Sequence, residues 1–203
     1  MGAGQERGAA GNGGDVDAVL QTALQRLALL VEATDALSGT LDGREALRRL
    51  CRVLLPQLAD WCTADLLDRQ GRPSRVVVEH FDTARPTAHL QGPLPDVPQA
   101  SVDPLARVLR GAGPLVADPE SVLDADDASA WHAAQVTLFT ALHAQPAVIA
   151  PLRAHRQVLG ALTLAAGHPP PLLITPDGDA RLHRPAVHRR AHRAPRRAPR
   201  HGP

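Results

Sequence analysis

Apolar residues recur at helical spacing in the first third of the chain. The first stripe alternates in steps of four and three residues: Leu20, Leu24, Leu27, Val31 and Thr34. This spacing predicts an amphipathic helix from Asp17 to about Leu37. A second helix is expected to begin after Asp42, a suitable N-cap, with Glu45 three residues later in a capping-box pattern. Its apolar stripe is Leu47, Leu50, Cys51, Leu54 and Leu58.

After the second predicted helix, apolar residues recur at every second position. The segments CTADLLD (62–68) and SRVVVEHF (74–81), joined by RQGRP, predict an antiparallel hairpin. A proline-rich loop (82–102), a short helix stopped by Gly111 and Gly113, and a brief strand in PLVA (114–117) should follow. We expect the segment from Ser121 to His143 to be one irregular helix.

A second hairpin is predicted near the end of the ordered pattern. The runs AVIAPL (147–152) and VLGALTL (158–164) have strand length and are joined by the charged turn RAHRQ. Because both faces of each strand are apolar, this hairpin should lie centrally in a sheet that is covered on both sides.

The region from about Leu27 to Leu164 resembles a GAF domain of actinobacterial signalling proteins. The resemblance is carried by three segments: LALLVEATDALSGTLDGREALRRLCRVLLPQLADWCTADLLD, VLRGAGPLVA and AVIAPLRAHRQVLGALTLA. It implies an α/β (α+β) fold with a central antiparallel sheet, helices on one face and a looped pocket on the other. It also implies a regulatory role rather than catalysis. At Gly160, where the family usually has glycine, we expect close approach of a covering helix.

The pocket of such a domain would lie under the cap formed by residues 82–145. Its candidate wall residues are Phe81, Trp131, His132, Phe139 and His143. Filling of the core is the alternative role for each. Neither histidine carries a convincing haem-ligand pattern, and the run Asp124, Asp126 and Asp127 lacks the rest of a calcium loop. The sequence therefore identifies no cofactor and no metal site, and it leaves the small molecule unknown.

The first helix has two possible partners. Its stripe of Leu20, Leu24, Leu27 and Val31 has heptad-like spacing, which could pair two copies of the chain in parallel. Packing against the chain's own sheet is the alternative. Both interpretations remain open at this point.

Two short segments resemble a PPM-type (SpoIIE-like) serine/threonine phosphatase, a class of enzyme often fused to GAF modules. They are GGDVDAV (13–19) and AGHPPPLLITPDG (166–178). Phosphatase chemistry needs several aspartates that converge on paired metal ions, and the chain offers no further set. We therefore expect no catalytic residues here and a phosphatase or kinase as a signalling partner. A fragment of a GAF-containing phosphatase is the alternative function.

Charge is distributed unevenly along the chain. All 21 acidic residues lie before residue 181, whereas residues 181–203 hold eight of the 22 arginines and no acid. We divide the chain into a disordered leader (1–16), a sensor domain (17–166) and a Pro/Arg/His-rich tail (167–203) that is disordered or frame-shifted. Such a tail could bind nucleic acid by counterion release, but it lacks aromatic residues, so we do not expect this.

The cellular setting follows from two further features. No apolar run approaches the roughly 18 residues of a spanning helix, and the glycine-rich start lacks the core of a secretory signal. We expect a cytoplasmic protein that does not enter membranes. Cys51 and Cys62 are expected to be buried and unlinked.

Overall fold

The computed structural model describes residues 11–167, which form a three-layered α/β structure. Two helices, α1 (Gly11–Ser38) and α2 (Gly43–Leu58), make the layer on one side of the sheet. Both predicted helices are present, and α1 begins at Gly11, inside the predicted leader. None of the helices in this described part is long and apolar enough to cross a membrane.

The start of α2 forms as the capping pattern predicts, but only in part. The Asp42 carboxylate accepts the backbone N–H groups of Arg44 at 2.9 Å and Glu45 at 3.4 Å. The Glu45 side chain does not complete the box, because it pairs with Arg48 at 2.9 Å and Arg49 at 3.0 Å. These two arginines hold the pKa of Glu45 below its usual value.

Within residues 11–167 the sheet contains six strands, and all neighbouring pairs are antiparallel. The strands are β1 (Trp61–Leu67), β2 (Pro73–His80), β3 (Gly92–Pro93), β4 (Leu115–Ala117), β5 (Ala147–Ala154) and β6 (Gln157–Ala165). Their order across the sheet is β3-β2-β1-β6-β5-β4. The two edge strands are only two and three residues long, which limits the backbone that either edge offers for further pairing.

The predicted second hairpin is confirmed as β5 and β6, and β6 lies between β1 and β5. Its two-residue turn holds His155 at φ 56°, the left-handed backbone that tight hairpin turns require. On the cap side, Ala147 and Ile149 are buried, whereas Val148 and Ala150 on the opposite side are half-buried. The sheet is therefore covered on both faces over the inner part of β6 but only partly over β5, because α2 packs mainly on β1 and β2.

Gly160 is required by a neighbouring strand and not by a helix, so the expected cause was wrong. A Cβ at this position would lie 2.1 Å from the backbone oxygen of Asp65 and 3.0 Å from Leu66 Cα. Both atoms belong to β1, which pairs with β6 at this point. Only a residue without a side chain allows the two strands to approach this closely.

The other side of the sheet is covered by a cap of short helices and loops. The cap helices are α3 (Pro104–Leu109), α4 (Pro119–Leu123) and α5 (Ala130–Ala141). The single irregular helix expected over 121–143 is therefore two helices. The break arises because the Asp127 carboxylate accepts the Ser129 N–H at 2.8 Å, and Ser129 Oγ caps α5 through the His132 N–H at 3.1 Å.

The alternation of β1 divides the interior into two hydrophobic clusters. Cys62 and Ala64 face α2 and belong to the aliphatic cluster beneath the helices. Trp61 faces the cap and belongs to a larger cluster there, and by the same alternation Thr63 and Asp65 face the cap as well. The fold class predicted from the sequence is confirmed: one antiparallel sheet has helices on one face and a looped cap on the other.

Candidate functional site

The space between the sheet and the cap is filled largely by the chain's own aromatic and aliphatic side chains. Trp61 from β1 meets Phe139 from α5 edge to face, with ring centroids 5.5 Å apart. Trp131 is also fully buried, and its indole N–H donates to the Asp103 carboxylate at 3.1 Å. Leu142 adds to the same cluster. A ligand under this cap would have to displace side chains that now fill the core.

A charged cluster interrupts this apolar interior. We call Asp65, Arg75 and Gln135 the buried polar cluster. Arg75 Nε donates to Asp65 Oδ1 at 2.9 Å, and Arg75 Nη2 donates to Gln135 Oε1 at 3.3 Å. The Arg75 and Asp65 side chains are 2% and 0% exposed. The cluster links β1, β2 and α5, so it connects the sheet to the main helix of the cap.

Several polar atoms in and beside this cluster lack a hydrogen-bond partner among residues 11–167. They are Asp65 Oδ2, Gln135 Nε2, Thr63 Oγ1 and Trp61 Nε1. Burial raises the pKa of Asp65, while its ion pair with Arg75 acts in the opposite direction. Leaving a buried donor or acceptor unpaired costs free energy, so these atoms favour an occupant that can hydrogen-bond with them.

A separate cleft of about 550 Å³ lies between α2, the end of β2 and the first residues of the cap. Phe81 lines it, is 63% exposed and stacks on His80 with ring centroids 4.9 Å apart. Burial is the main cause that lowers the pKa of His80, followed by the charge of Arg85. Arg85 also donates to the Ala141 carbonyl at 2.9 Å and contacts the His143 ring.

The five residues predicted to line the pocket do not come together in one place. Trp131 and Phe139 are buried under the cap, where they fill the core. Phe81 lines the outer cleft, and His143 contacts Arg85 at its margin. His132 is half-buried on α5. A shared role for these residues in ligand binding stays a prediction.

Sequence reasoning did not single out Asp65, Arg75 or Gln135. A usable signal was present, because Asp65 and Arg75 are charged residues directly beside the apolar runs of the strands CTADLLD and SRVVVEHF. Charged side chains are rarely buried unless they are paired. A charge of each sign on two strands of one hairpin could therefore have indicated a buried ion pair.

The stripe on α1 faces away from the rest of the described chain. We call Leu20, Leu24, Leu27 and Val31 the outer stripe. These four side chains are between 55% and 62% exposed. Leu29, which is buried, packs on the opposite side of the helix in the cluster beneath α2. Since residues two apart on a helix point about 200° from each other, both faces of α1 are apolar in its central part.

The metal and phosphatase patterns do not assemble into a site in the described part of the chain. In residues 11–167, no group of three or more His, Cys, Asp or Glu side chains is placed to hold a metal ion. Asp124, Asp126 and Asp127 lie in the segment between α4 and α5. The segment GGDVDAV lies in α1 and not at a strand end, and most of AGHPPPLLITPDG, like the tail, falls outside the described residues.

Comparison with known proteins supports the fold through structure alone. No family model matches the chain, and no curated protein matches it. A phycocyanobilin-bound GAF domain from a cyanobacterial phytochrome aligns at 17% identity and a TM-score of 0.48, over 74% of this chain and 84% of that chain. The A. aeolicus nlh2 GAF domain in an inactive state aligns at 16% identity and a TM-score of 0.51, over 70% of this chain and 80% of that chain. The second of these alignments, together with the antiparallel sheet between helices and cap, gives the described part of the chain a GAF-like fold.

Proposed function

We propose that this chain is a sensory or regulatory domain of bacterial signal transduction that acts as a homodimer and has no catalytic activity of its own. The observation that carries the proposal is the outer stripe of α1, which presents large apolar side chains away from its own domain. A contiguous exposed apolar stripe on a helix is characteristic of a protein interface.

The chemistry of α1 favours a second copy of the same chain as the partner. The outer stripe has the four–three spacing of a coiled-coil contact face. In a parallel pair of such helices, each stripe residue lies against the same residue of the other copy. Leu30 and Leu37 are also exposed and widen the stripe. Burial of an exposed leucine or valine contributes about 1.5–3 kcal/mol to association. In a symmetric pair the same residue is buried in both copies, so each stripe position contributes from both chains.

Sedimentation of the full chain tests this part of the proposal. The wild type is expected to be dimeric at micromolar concentration, and Leu27→Glu should make it monomeric because two carboxylates would face each other in the stripe. Leu41→Glu is the matched control, since Leu41 is fully exposed outside α1 and should leave the dimer intact. A monomeric wild type, or a dimer that tolerates Leu27→Glu, would contradict the proposal.

The ligand-binding part of the function is assigned to the buried polar cluster under the cap. Asp65 Oδ2 can accept a hydrogen bond and Gln135 Nε2 can donate one, and both atoms are buried and unpaired within residues 11–167. A small polar ligand that offers one donor and one acceptor would satisfy both. Because Trp131 and Phe139 fill the surrounding space, binding would move α5 relative to the sheet.

A thermal-shift experiment with defined probes tests this assignment. Amino acids, nucleotides and small carboxylic acids are added separately to the full chain, and one class should raise the melting temperature. Gln135→Leu should abolish the shift, whereas Thr137→Val, an exposed change on the same helix, should preserve it. The assignment fails if no class produces a shift or if Gln135→Leu leaves the shift unchanged.

The output partner is the least constrained element of the proposal. The resemblance to GAF modules that are fused to PPM-type phosphatases supports a phosphatase or kinase as partner, in the cytoplasm. A hydrolysis assay of the full chain with manganese and a phosphorylated peptide should show no turnover. Turnover would instead support the alternative that the chain is part of the enzyme.

A further inference from the structure

The only two cysteines in the chain lie against each other. Cys51 projects from α2 and Cys62 from β1, and their Sγ atoms are 2.8 Å apart. Both residues have no exposed surface and are free thiols. The expectation that they are buried is confirmed. The two sulfur atoms are also closer to each other than the packing of two small apolar side chains requires.

The geometry needs little change to become a covalent link. A disulfide bond is about 2.05 Å long, so the two sulfur atoms must move by less than about 1 Å. We propose that Cys51 and Cys62 are a modification site, at which a peroxide converts the two thiols into a reversible intramolecular disulfide between α2 and β1. This inference does not depend on the ligand or on the dimer.

The reaction balances with a peroxide as the oxidant. One thiolate attacks a peroxide oxygen, the O–O bond breaks, and a sulfenic acid and hydroxide form. The second thiolate attacks the sulfenic sulfur, the S–S bond forms, and the S–O bond breaks with loss of hydroxide. With the two thiol protons, the net reaction converts two thiols and one hydrogen peroxide into a disulfide and two waters. A dithiol reductant reverses the oxidation by exchange.

The surroundings of the pair make oxidation depend on local opening. On β2, Glu79 is the cross-strand partner of Cys62, and its carboxylate lies 3.6 Å from Arg48 Nε and 3.5 Å from Arg52 Nη2. These ion pairs lie between α2 and β2 and are partly exposed. Burial is also the main cause that raises the pKa of Cys62, which disfavours the reactive thiolate in the closed state.

The link would act on the helical layer. Cys51 lies in the face of α2 that packs on the sheet, and α1 packs on α2. A disulfide between Cys51 and β1 would therefore fix the position of α2, against which α1 and its outer stripe pack. Oxidation would stabilise the domain by restricting the unfolded chain and would limit movement of α1 and α2 relative to the sheet.

Intact-mass and thermal-melting measurements on the full chain test the proposal. Treatment with hydrogen peroxide should remove both free thiols, lower the mass by two hydrogen atoms, and give a 51–62 cross-linked peptide in a single chain. The melting temperature should rise by roughly 6–12 °C, and dithiothreitol should reverse every change.

Cys51→Ala and Cys62→Ala are the matched controls, because each keeps one buried thiol that has no partner in its own chain. Neither variant should show the peroxide-dependent rise in melting temperature. Three results would overturn the proposal: both thiols persist after peroxide treatment, the disulfides form only between chains, or oxygen atoms add to the sulfurs without formation of the link.

Discussion

The helices α1 and α2 both carry a stripe of apolar residues at helical spacing, but they use it differently. In α2, the stripe that contains Leu50, Cys51 and Leu54 is buried against the sheet. In α1, the outer stripe faces outward, and the helix is held to its own domain by the opposite side around Leu29. The comparison teaches that periodicity identifies a helix and its apolar face, whereas the partner of that face depends on tertiary structure.

The largest expected effect comes from breaking the sheet on which α2 rests. Gly160→Ala should destabilise the chain by on the order of 4 kcal/mol, because the new Cβ would overlap the Asp65 backbone oxygen and force β1 away from β6. Chemical denaturation measures the change in unfolding free energy. Gly113→Ala is the control, since its Cβ would meet nothing within 4 Å, and it should be close to neutral. Equal stability of the two variants would contradict the strand contact.

A smaller expected effect on unfolding free energy distinguishes the buried stripe of α2 from the outer stripe of α1. Leu54→Ala, in the buried stripe of α2, should cost about 3 kcal/mol of unfolding free energy, because it leaves a cavity in the core. Leu24→Ala, in the outer stripe, should cost less than about 0.5 kcal/mol in the monomer. Both losses are measured by chemical denaturation at protein concentrations below the dimer dissociation constant. Equal losses would show that α1 packs within its own chain after all.

The secondary structure could be predicted to a large extent because it depends on local patterns. Both long helices and both long hairpins follow from periods of 3.6 and 2. The break between α4 and α5 was missed because it depends on side-chain capping contacts, Asp127 with the Ser129 N–H and Ser129 Oγ with the His132 N–H. Residues 124–129 are rich in Asp and Ser, which either cap a new helix or lie on the exposed face of a longer one, and the local pattern does not show which occurs.

The candidate site was less predictable. Aromatic residues in the cap were expected to line a pocket, but Trp131 and Phe139 fill the core, and Phe81 lies in a different cleft. The link from Arg75 to Gln135 spans 60 residues of sequence, so no local pattern indicates it. The direction of the outer stripe was also open, since both faces of α1 are apolar near its centre.

The smallest expected effect is the contribution of His80, at the edge of the α2 layer, to the pH dependence of stability. Burial lowers its pKa in the folded chain below the unfolded value of about 6.5. The unfolded chain therefore binds a proton first as the pH falls. The contribution of His80 to stability is complete above about pH 6.5 and is lost as the pH drops towards the folded pKa. His80→Gln should flatten the pH dependence of unfolding in that window, and an unchanged slope would contradict the assignment.

Site-specific cross-linking tests the central claim about α1 most directly. Leu27→Cys and, separately, Gln25→Cys are introduced into a chain in which Cys51 and Cys62 are alanine, and each protein is mildly oxidised. If two outer stripes pair in parallel, Leu27→Cys should form a disulfide between chains, because the same residue of each copy lies in the same contact layer. Gln25→Cys, exposed away from the outer stripe, should remain a free thiol. Equal cross-linking at both positions, or none at Leu27→Cys, would contradict the account.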